Sequence, residues 1–474
     1  MKQTQHNSET IAVIGGGMSG IAAAEAAVRH WQRVELFEWS QVLGGRLMSM
    51  KEPKTGRWID NGQHILLGCC SEAIALHERL GLTRCFDRYD SLPFMSSDNK
   101  SWTLSASPFL PNRWQLVPSF LKMPFLSFSD RLSTGLLLRK LGKVFSSKTQ
   151  SQSFDEPFIE RLQREHASNE SIEKFWKPLV LSTLSDTLES VSCNAVCKVI
   201  RDGFMSGSDA MTAWIPNKPL REIYAEMASE SLVKLGVTIH TGKKIELLEW
   251  QNYSDDGCTN QTDSDDDAVA CNITGIRLND GTCRRFDRYV VATPWHSTWQ
   301  LLEKSNMGSL AEMLGLDRFE AGAVTTIHLW CDRRLLPENQ GYCAILGQPG
   351  QVLFCPKHCN CTAENGSELV YHTVVVSASH RLLSETEMTS RGNAELVSKV
   401  QQQLDKIFRV EFKIEHWRVT TVFDAVFSPS TQIFTNRPTQ QTPIKNLSLA
   451  GDWTQTTWPA TIEGAVRSGI LAIE

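Results

Sequence analysis

The chain has 474 residues, 41% of them apolar and 21% charged, enough to bury a large core and fill two domains. A net charge of −5 argues against a general nucleic-acid-binding role, and with no run of 18 apolar residues no transmembrane helix is expected. Thirteen cysteines, an odd count without paired CxxC spacing, point to reduced thiols in a cytoplasmic protein, and the polar first ten residues lack the apolar stretch of a signal peptide.

Residues 11–14 (Ile-Ala-Val-Ile) form a continuous apolar run of the kind buried on both faces of a parallel sheet. The chain then reads Gly15-x-Gly17-x-x-Gly20. The first glycine permits a tight turn, the second lets the backbone approach a pyrophosphate, and the third lets the next helix pack close on the strand. An alanine-rich stretch over 18–30, with Ser19 in its first turn, is predicted to be that helix. Its N-terminus offers free N–H groups and a positive dipole end to phosphates. A second strand over 34–37 ends at Glu38, eighteen residues past Gly20, where a carboxylate can accept hydrogen bonds from a ribose. Strand, turn, helix, strand and acid in this register predict a dinucleotide-binding unit. In residues 42–46 (Val-Leu-Gly-Gly-Arg) the paired glycines, Gly44 and Gly45, keep the backbone close, and Arg46 can reach the pyrophosphate.

Residues 56–68 read as a loop feeding a short apolar strand, with a turn at Asp60-Asn61-Gly62 followed by Gln63 and His64. Residues 108–148 carry seven basic residues (Arg113, Lys122, Arg131, Arg139, Lys140, Lys143, Lys148) against one acid, Asp130, mixed with Trp, Phe and Leu. That composition suits a segment lying in the interface of an anionic membrane. It equally suits a helical insertion packing its apolar side on a substrate domain with its lysines solvated. Helical spacing recurs over 170–184, with a break expected at Pro178, and again ahead of Arg201-Asp202-Gly203-Phe204. A strand or loop at 211–216 and a helix over 220–235 lead into strands at 237–240 and 244–248. The acidic stretch 253–268 is predicted to be a solvated hairpin insertion. Strands at 276–280 and 289–294 return to the nucleotide-binding domain, while strands at 324–330, 369–377 and 416–422 predict an antiparallel sheet, joined by an amphipathic helix over 396–408. Cys355, His358, Cys359 and Cys361 lack a second ligand pair at finger spacing, so no metal site is expected. The chain closes with an apolar strand ending in Gly451-Asp452-Trp453 and a helix start over 459–465.

The glycine turn, residues 42–46, the Gly451-Asp452 strand end and the last helix start together resemble the two-dinucleotide-binding-domain flavoproteins of the amine oxidase and phytoene desaturase superfamily. Asp60-Asn61-Gly62-Gln63-His64, Phe175-Trp176-Lys177-Pro178-Leu179, Arg201-Asp202-Gly203-Phe204, His328-Leu329-Trp330, His416-Trp417-Arg418-Val419 and the stretch from Ala450 to Gly469 resemble, more narrowly, the hydroxysqualene dehydroxylases of hopanoid biosynthesis. That resemblance runs nearly end to end. It implies an α/β fold: a Rossmann-like FAD-binding domain (1–90, 212–296 and 435–474) interleaved with an α+β substrate-binding domain (91–211 and 297–434). It implies FAD as the cofactor, with Asp452 on the ribityl chain, the backbone at Ile245 against the adenine, and the last helix, with Ile462 in its first turn, aimed at the flavin pyrimidine edge. The residues it assigns to FAD are Gly15, Gly17, Ser19, Gly20, Glu38, Gly45, Arg46, Gly62, Gln63, Ile245, Asp452 and Ile462.

The activity implied is reduction of hydroxysqualene to squalene by flavin hydride. Loss of an allylic hydroxyl needs an acid, a dry apolar tunnel and π-faces for the cation. By position the acid candidates are Asp60, His64 and Glu463. Glu463 is expected to be held ionised by the helix dipole and Asp60 to cap its turn. His64, nearest to neutrality, is favoured. Trp453 and Trp458 are the candidate faces, so His64 and Trp458 are the expected catalytic residues. With no second GxGxxG, the reductant for FAD is expected from outside. The substrate partner is an isoprenoid lipid, and a docking segment would place the protein peripherally on the inner face of the cytoplasmic membrane. Three other readings compete: a carotenoid-type desaturase running hydride from substrate to flavin, an amine oxidase needing an aromatic cage and a lysine near flavin N5, and a flavin-binding scaffold without turnover.

Overall fold

The computed structural model describes residues 9–31, 33–98, 100–107, 109–111, 114–144, 155–252, 271–363 and 366–474. The acidic stretch 253–268, with Arg113 and Lys148 of the basic segment, lies outside the described residues. Five parallel strands form one sheet, in the order Val237–His240, Arg33–Phe37, Thr10–Ile14, Arg288–Val291 and Leu447–Leu449. Thr10–Ile14 takes the centre because its apolar run can be buried on both faces. The following helix, Met18–Ala27, is buried along its whole length. It ends earlier than the alanine-rich pattern suggests, since the chain turns after Ala27 to reach the next strand. Against it lies the last helix, Ile462–Leu471. A Cβ on Gly469 would stand 2.2 Å from the Ser19 carbonyl, so only small residues let these two backbones approach.

A larger mixed sheet runs Ile414–Phe427, Ala321–Cys331, Glu368–Val376, Val352–Phe354, Tyr342–Ile345, Ser91–Met95 and Ser101–Ser105. The three strands expected between 324 and 422 are present, the first and last of them longer than their apolar cores. The hairpin 91–105 is an addition that the sequence did not announce. It joins in parallel register, Ala344 beside Phe94, so distant parts of the chain complete one sheet. The strand or loop expected at 211–216 is a strand, Ala213–Pro216, held between Leu66–Leu67 and Phe86–Tyr89.

Beside the larger sheet pack helices Val117–Leu121, Phe128–Val144, Lys177–Leu184 and Cys193–Val199, the last three built around Leu141, Trp176 and Leu184. Pro178 does not break the chain's helical course. It sits in the first turn of Lys177–Leu184, where a missing N–H costs nothing, and the preceding turn, Ile172–Trp176, is widened to a π-helical one. A second π turn, Ile200–Phe204, extends Cys193–Val199. No helix among the described residues is long and apolar enough to cross a membrane.

Candidate active site

The carboxyl ends of the parallel strands open onto a cavity of about 1810 Å³. One drug-sized ligand needs roughly 300–1,000 Å³, so there is room for a dinucleotide and a second molecule. The glycines of the first turn divide the work. Gly15 has φ +111°, and a Cβ on it would stand 2.6 Å from the Ala292 carbonyl; a Cβ on Gly20 would stand 1.8 Å from the Gly15 carbonyl. These two serve the turn and the close helix, and Gly20 does not line the cavity. Gly17 is different. Its backbone is unstrained, and a Cβ there meets nothing nearer than Gly45 Cα at 4.0 Å. The space above it is open to the cavity. Gly45, at φ +57°, turns its own bare Cα toward Gly17, so two backbones without side chains form one cradle.

The groups around this cradle are held by the protein's own hydrogen bonds. Glu38 accepts hydrogen bonds from Gly16 N (2.6 Å) and Ser40 N (2.8 Å), so the turn itself holds the acid at the cavity wall. Arg46 donates to Asp452 (2.7 Å) and to the Ala425 carbonyl (2.8 Å), tying the first unit to the last strand. Ser19, Gln63, Ile245 and Ile462 line the same cavity. Thr461 caps the last helix by accepting from Gly464 N at 3.1 Å. Asn61 Oδ1 and Gln63 Nε2 are buried without a protein partner, and both residues face the cavity. Buried polar atoms are rarely left so, and two of them aimed into a cavity beside a glycine turn fit a dinucleotide cofactor.

Away from the parallel sheet the cavity wall turns apolar. Leu92, Phe94, Trp102, Leu104, Phe120 and Phe125 are among its lining, drawn from the hairpin 91–105 and the segment that follows. The chain matches the family of flavin containing amine oxidoreductases over residues 18–472. It belongs to that family. Hydroxysqualene dehydroxylase of Zymomonas mobilis is 24% identical to it over 98% of this chain and 97% of that one, and a chloroplastic 15-cis-phytoene desaturase of Glycine max is 22% identical over 98% and 78%. An oxidoreductase structure from Methanosarcina mazei shares the fold, with a TM-score of 0.66 at 16% identity, covering 97% of this chain and 98% of that one. The family makes the protein an FAD-dependent oxidoreductase with an α/β flavoprotein fold.

Within this flavoprotein the sequence-predicted acids fall differently than expected. His64 lines the cavity, yet its Nδ1 is 2.8 Å from the Gly62 carbonyl. A carbonyl only accepts, so Nδ1 carries the proton and Nε2 presents a lone pair. Burial, with Arg46 nearby, lowers its pKa to about 4. At neutral pH His64 is therefore an acceptor, not the acid that its ordinary pKa suggests. Gly62 forms the turn and does not itself line the cavity. Asp60 is buried off the cavity, accepting from Ser49 Oγ and Leu220 N, and burial raises its pKa to about 7. Glu463 also lies off the cavity, accepting from Glu72 N, Ala73 N and Arg467. It caps the helix Ser71–Arg79, and burial raises its pKa, overriding the lowering expected from the helix dipole. Trp453 is core: its indole N–H donates to the Thr293 carbonyl and its ring packs on Phe319. Trp458 does face the cavity, with the Lys198 ammonium 4.9 Å from its ring centre. Lys198 was missed in the sequence, and Asp202 appeared there only as part of a block. An i, i+4 lysine–aspartate pair ordinarily marks a solvated helix face.

Proposed function

We propose that the chain reduces hydroxysqualene to squalene, with an external reductant recharging its FAD. The observation that carries this reading is the single cavity that joins the glycine cradle to a wall of Leu, Phe and Trp, the lining an isoprenoid chain calls for. Relatives named hydroxysqualene dehydroxylase, matched over nearly their whole length, support the same substrate class, as do those named phytoene desaturase. In this reading Gly15, Gly17, Ser19, Gly45 and Arg46 take the pyrophosphate, Glu38 the ribose and Ile245 the adenine. Gln63, Asp452 and Ile462 take the rest of the flavin, with Gly20 and Gly62 shaping the backbone. Reduced FAD, when bound, supplies the hydride. The apolar wall excludes water from the reacting carbon, and His64 Nε2 offers an acceptor beside it. Trp458 gives its face to a cation of the protein, Lys198, so its part in stabilising a substrate cation is indirect. The test is anaerobic: reduced enzyme should be reoxidised by hydroxysqualene with release of squalene. A desaturase would instead be reduced, as oxidised enzyme, by a polyene precursor such as phytoene.

The same reading places the cavity mouth on a membrane. Trp114, Leu121, Leu132 and Leu136 are exposed and also line the cavity, and Phe128 beside them is 72% exposed. Arg131 and Arg139 stand among them, Arg139 over the Trp114 ring. Lys140 is paired with Glu165 at 2.6 Å, so the basic set is smaller than composition suggests. Apolar side chains flanked by two arginines suit an anionic bilayer from which a lipid enters. Replacing Phe128, Leu132 and Leu136 by Ser is expected to abolish cosedimentation with phosphatidylglycerol-containing vesicles while FAD stays bound. Arg139→Ala should weaken it and flatten its salt dependence. Unchanged cosedimentation of the triple variant would remove the membrane from the account.

A further inference from the structure

The cavity wall holds one buried lysine. Lys198 is 6% exposed, the only buried lysine among the described residues, and it faces the cavity. Its ammonium lies 2.7 Å from the Asp202 carboxylate, whose other oxygen meets Arg201 Nε at 2.9 Å. The π turn Ile200–Phe204 carries Asp202 to the same wall. Lys198 also stands over Trp458, which leads directly into the residues 459–462 that line the cavity at the head of the last helix. A buried ion pair is a weak way to stabilise a fold, since apolar residues of similar size do as well. An ion pair turned toward the cavity onto which the cradle also opens is better explained by chemistry.

We propose that Lys198 donates the proton to the departing hydroxyl, with Asp202 as its positioning partner; the inference rests on the dehydroxylation reading above. His64 does not compete for this role, because its cavity-side nitrogen is a lone pair at neutral pH. In the step, Lys198 Nζ gives a proton to the hydroxyl oxygen. The C–O bond breaks with both electrons passing to oxygen, and water leaves. The carbon accepts hydride from reduced FAD, so the substrate is reduced and the cofactor oxidised, and Lys198 regains its proton from solvent. The charges follow the reaction. Before transfer, a neutral Lys198–Asp202 pair faces a neutral alcohol. After transfer, an amine and the Asp202 carboxylate face a carbocation, so negative charge stands where positive charge develops. Burial lowers the Lys198 pKa below its ordinary value, Asp202 opposes this, and Arg201 and Arg467 add to the lowering. These are the charged groups that face it, Arg467 from the last helix being itself bonded to Glu463. A lysine so shifted is a better general acid near neutrality.

The test compares FAD-loaded wild type with Lys198→Met and Lys198→Arg. Reoxidation of photoreduced enzyme by hydroxysqualene, without oxygen, should slow about a hundredfold or more in both, with FAD content and flavin spectrum kept. Lys198→Arg keeps the cation and its pair but does not release a proton, so it decides the matter if Lys198→Met folds poorly. Wild type should lose rate on the alkaline side, and Lys198→Arg should lack that limb. Titration of the oxidised enzyme adds a readout without turnover: wild type should prefer hydroxysqualene to squalene, and Lys198→Met should lose about tenfold of that preference. Either variant reoxidised at the wild-type rate overturns the proton-donor role and leaves dehydroxylation standing. A wild type that hydroxysqualene does not reoxidise overturns the dehydroxylation reading, and this inference with it.

Discussion

Gly17→Val should give a folded protein without colour. At this position the backbone is extended and unstrained, and a Cβ clears its nearest neighbour, Gly45 Cα, by 4.0 Å. Valine is therefore tolerated by the apoprotein, while its methyl groups fill the gap between the two bare backbones where a pyrophosphate must lie. Gly20→Ala makes the contrast. Its Cβ would stand 1.8 Å from the Gly15 carbonyl, so it should disturb the fold itself. Flavin absorbance of the purified protein, FAD released by acid precipitation and the unfolding midpoint of the apoproteins separate the two. Bound FAD raises the midpoint by mass action, so like must be compared with like. A yellow Gly17→Val protein with full occupancy would contradict the cradle.

Ala344→Trp should abolish use of the lipid and spare the cofactor. Ala344 lies in Tyr342–Ile345, between Phe94 and Val352, with its small side chain on the cavity wall. An indole there enters empty space, not packed core, so the usual penalty of overpacking is small. Reoxidation of reduced enzyme by hydroxysqualene should fall by about a hundredfold or more, since even a 1 Å misplacement of a reacting carbon costs that much. FAD content should not change. A rate like that of wild type would mean the substrate takes another route.

The nucleotide half was legible because its signals are local. An apolar strand, three glycines and an acid in register are read from 28 consecutive residues, and the steric reasons for Gly15 and Gly20 survive in the structure. The substrate half was less so. The hairpin 91–105 carries Pro93 and half-buried positions, and its pairing with Tyr342–Ile345 lies some 250 residues away. Pro178 reads as a helix break because a proline removes a bond in a regular helix; here it opens a new one after a widened turn. The acids were misjudged for one shared reason. Position along the chain places Asp60, His64 and Glu463 near the flavin, but their burial and partners, which set their pKa values, come from residues as distant as Leu220 and Ala73. Lys198 was hidden by the reverse effect: a pairing pattern typical of an exposed helix face is turned inward.

The central claim is the direction of hydride flow between FAD and an isoprenoid alcohol. Its most direct test is to reduce the bound flavin by light without oxygen, add one equivalent of hydroxysqualene, and follow flavin absorbance and lipid mass together. The account predicts that oxidised flavin returns as squalene forms, one for one. A reduced flavin that persists with hydroxysqualene intact, in an enzyme whose oxidised form is bleached by phytoene or by an amine, would contradict it.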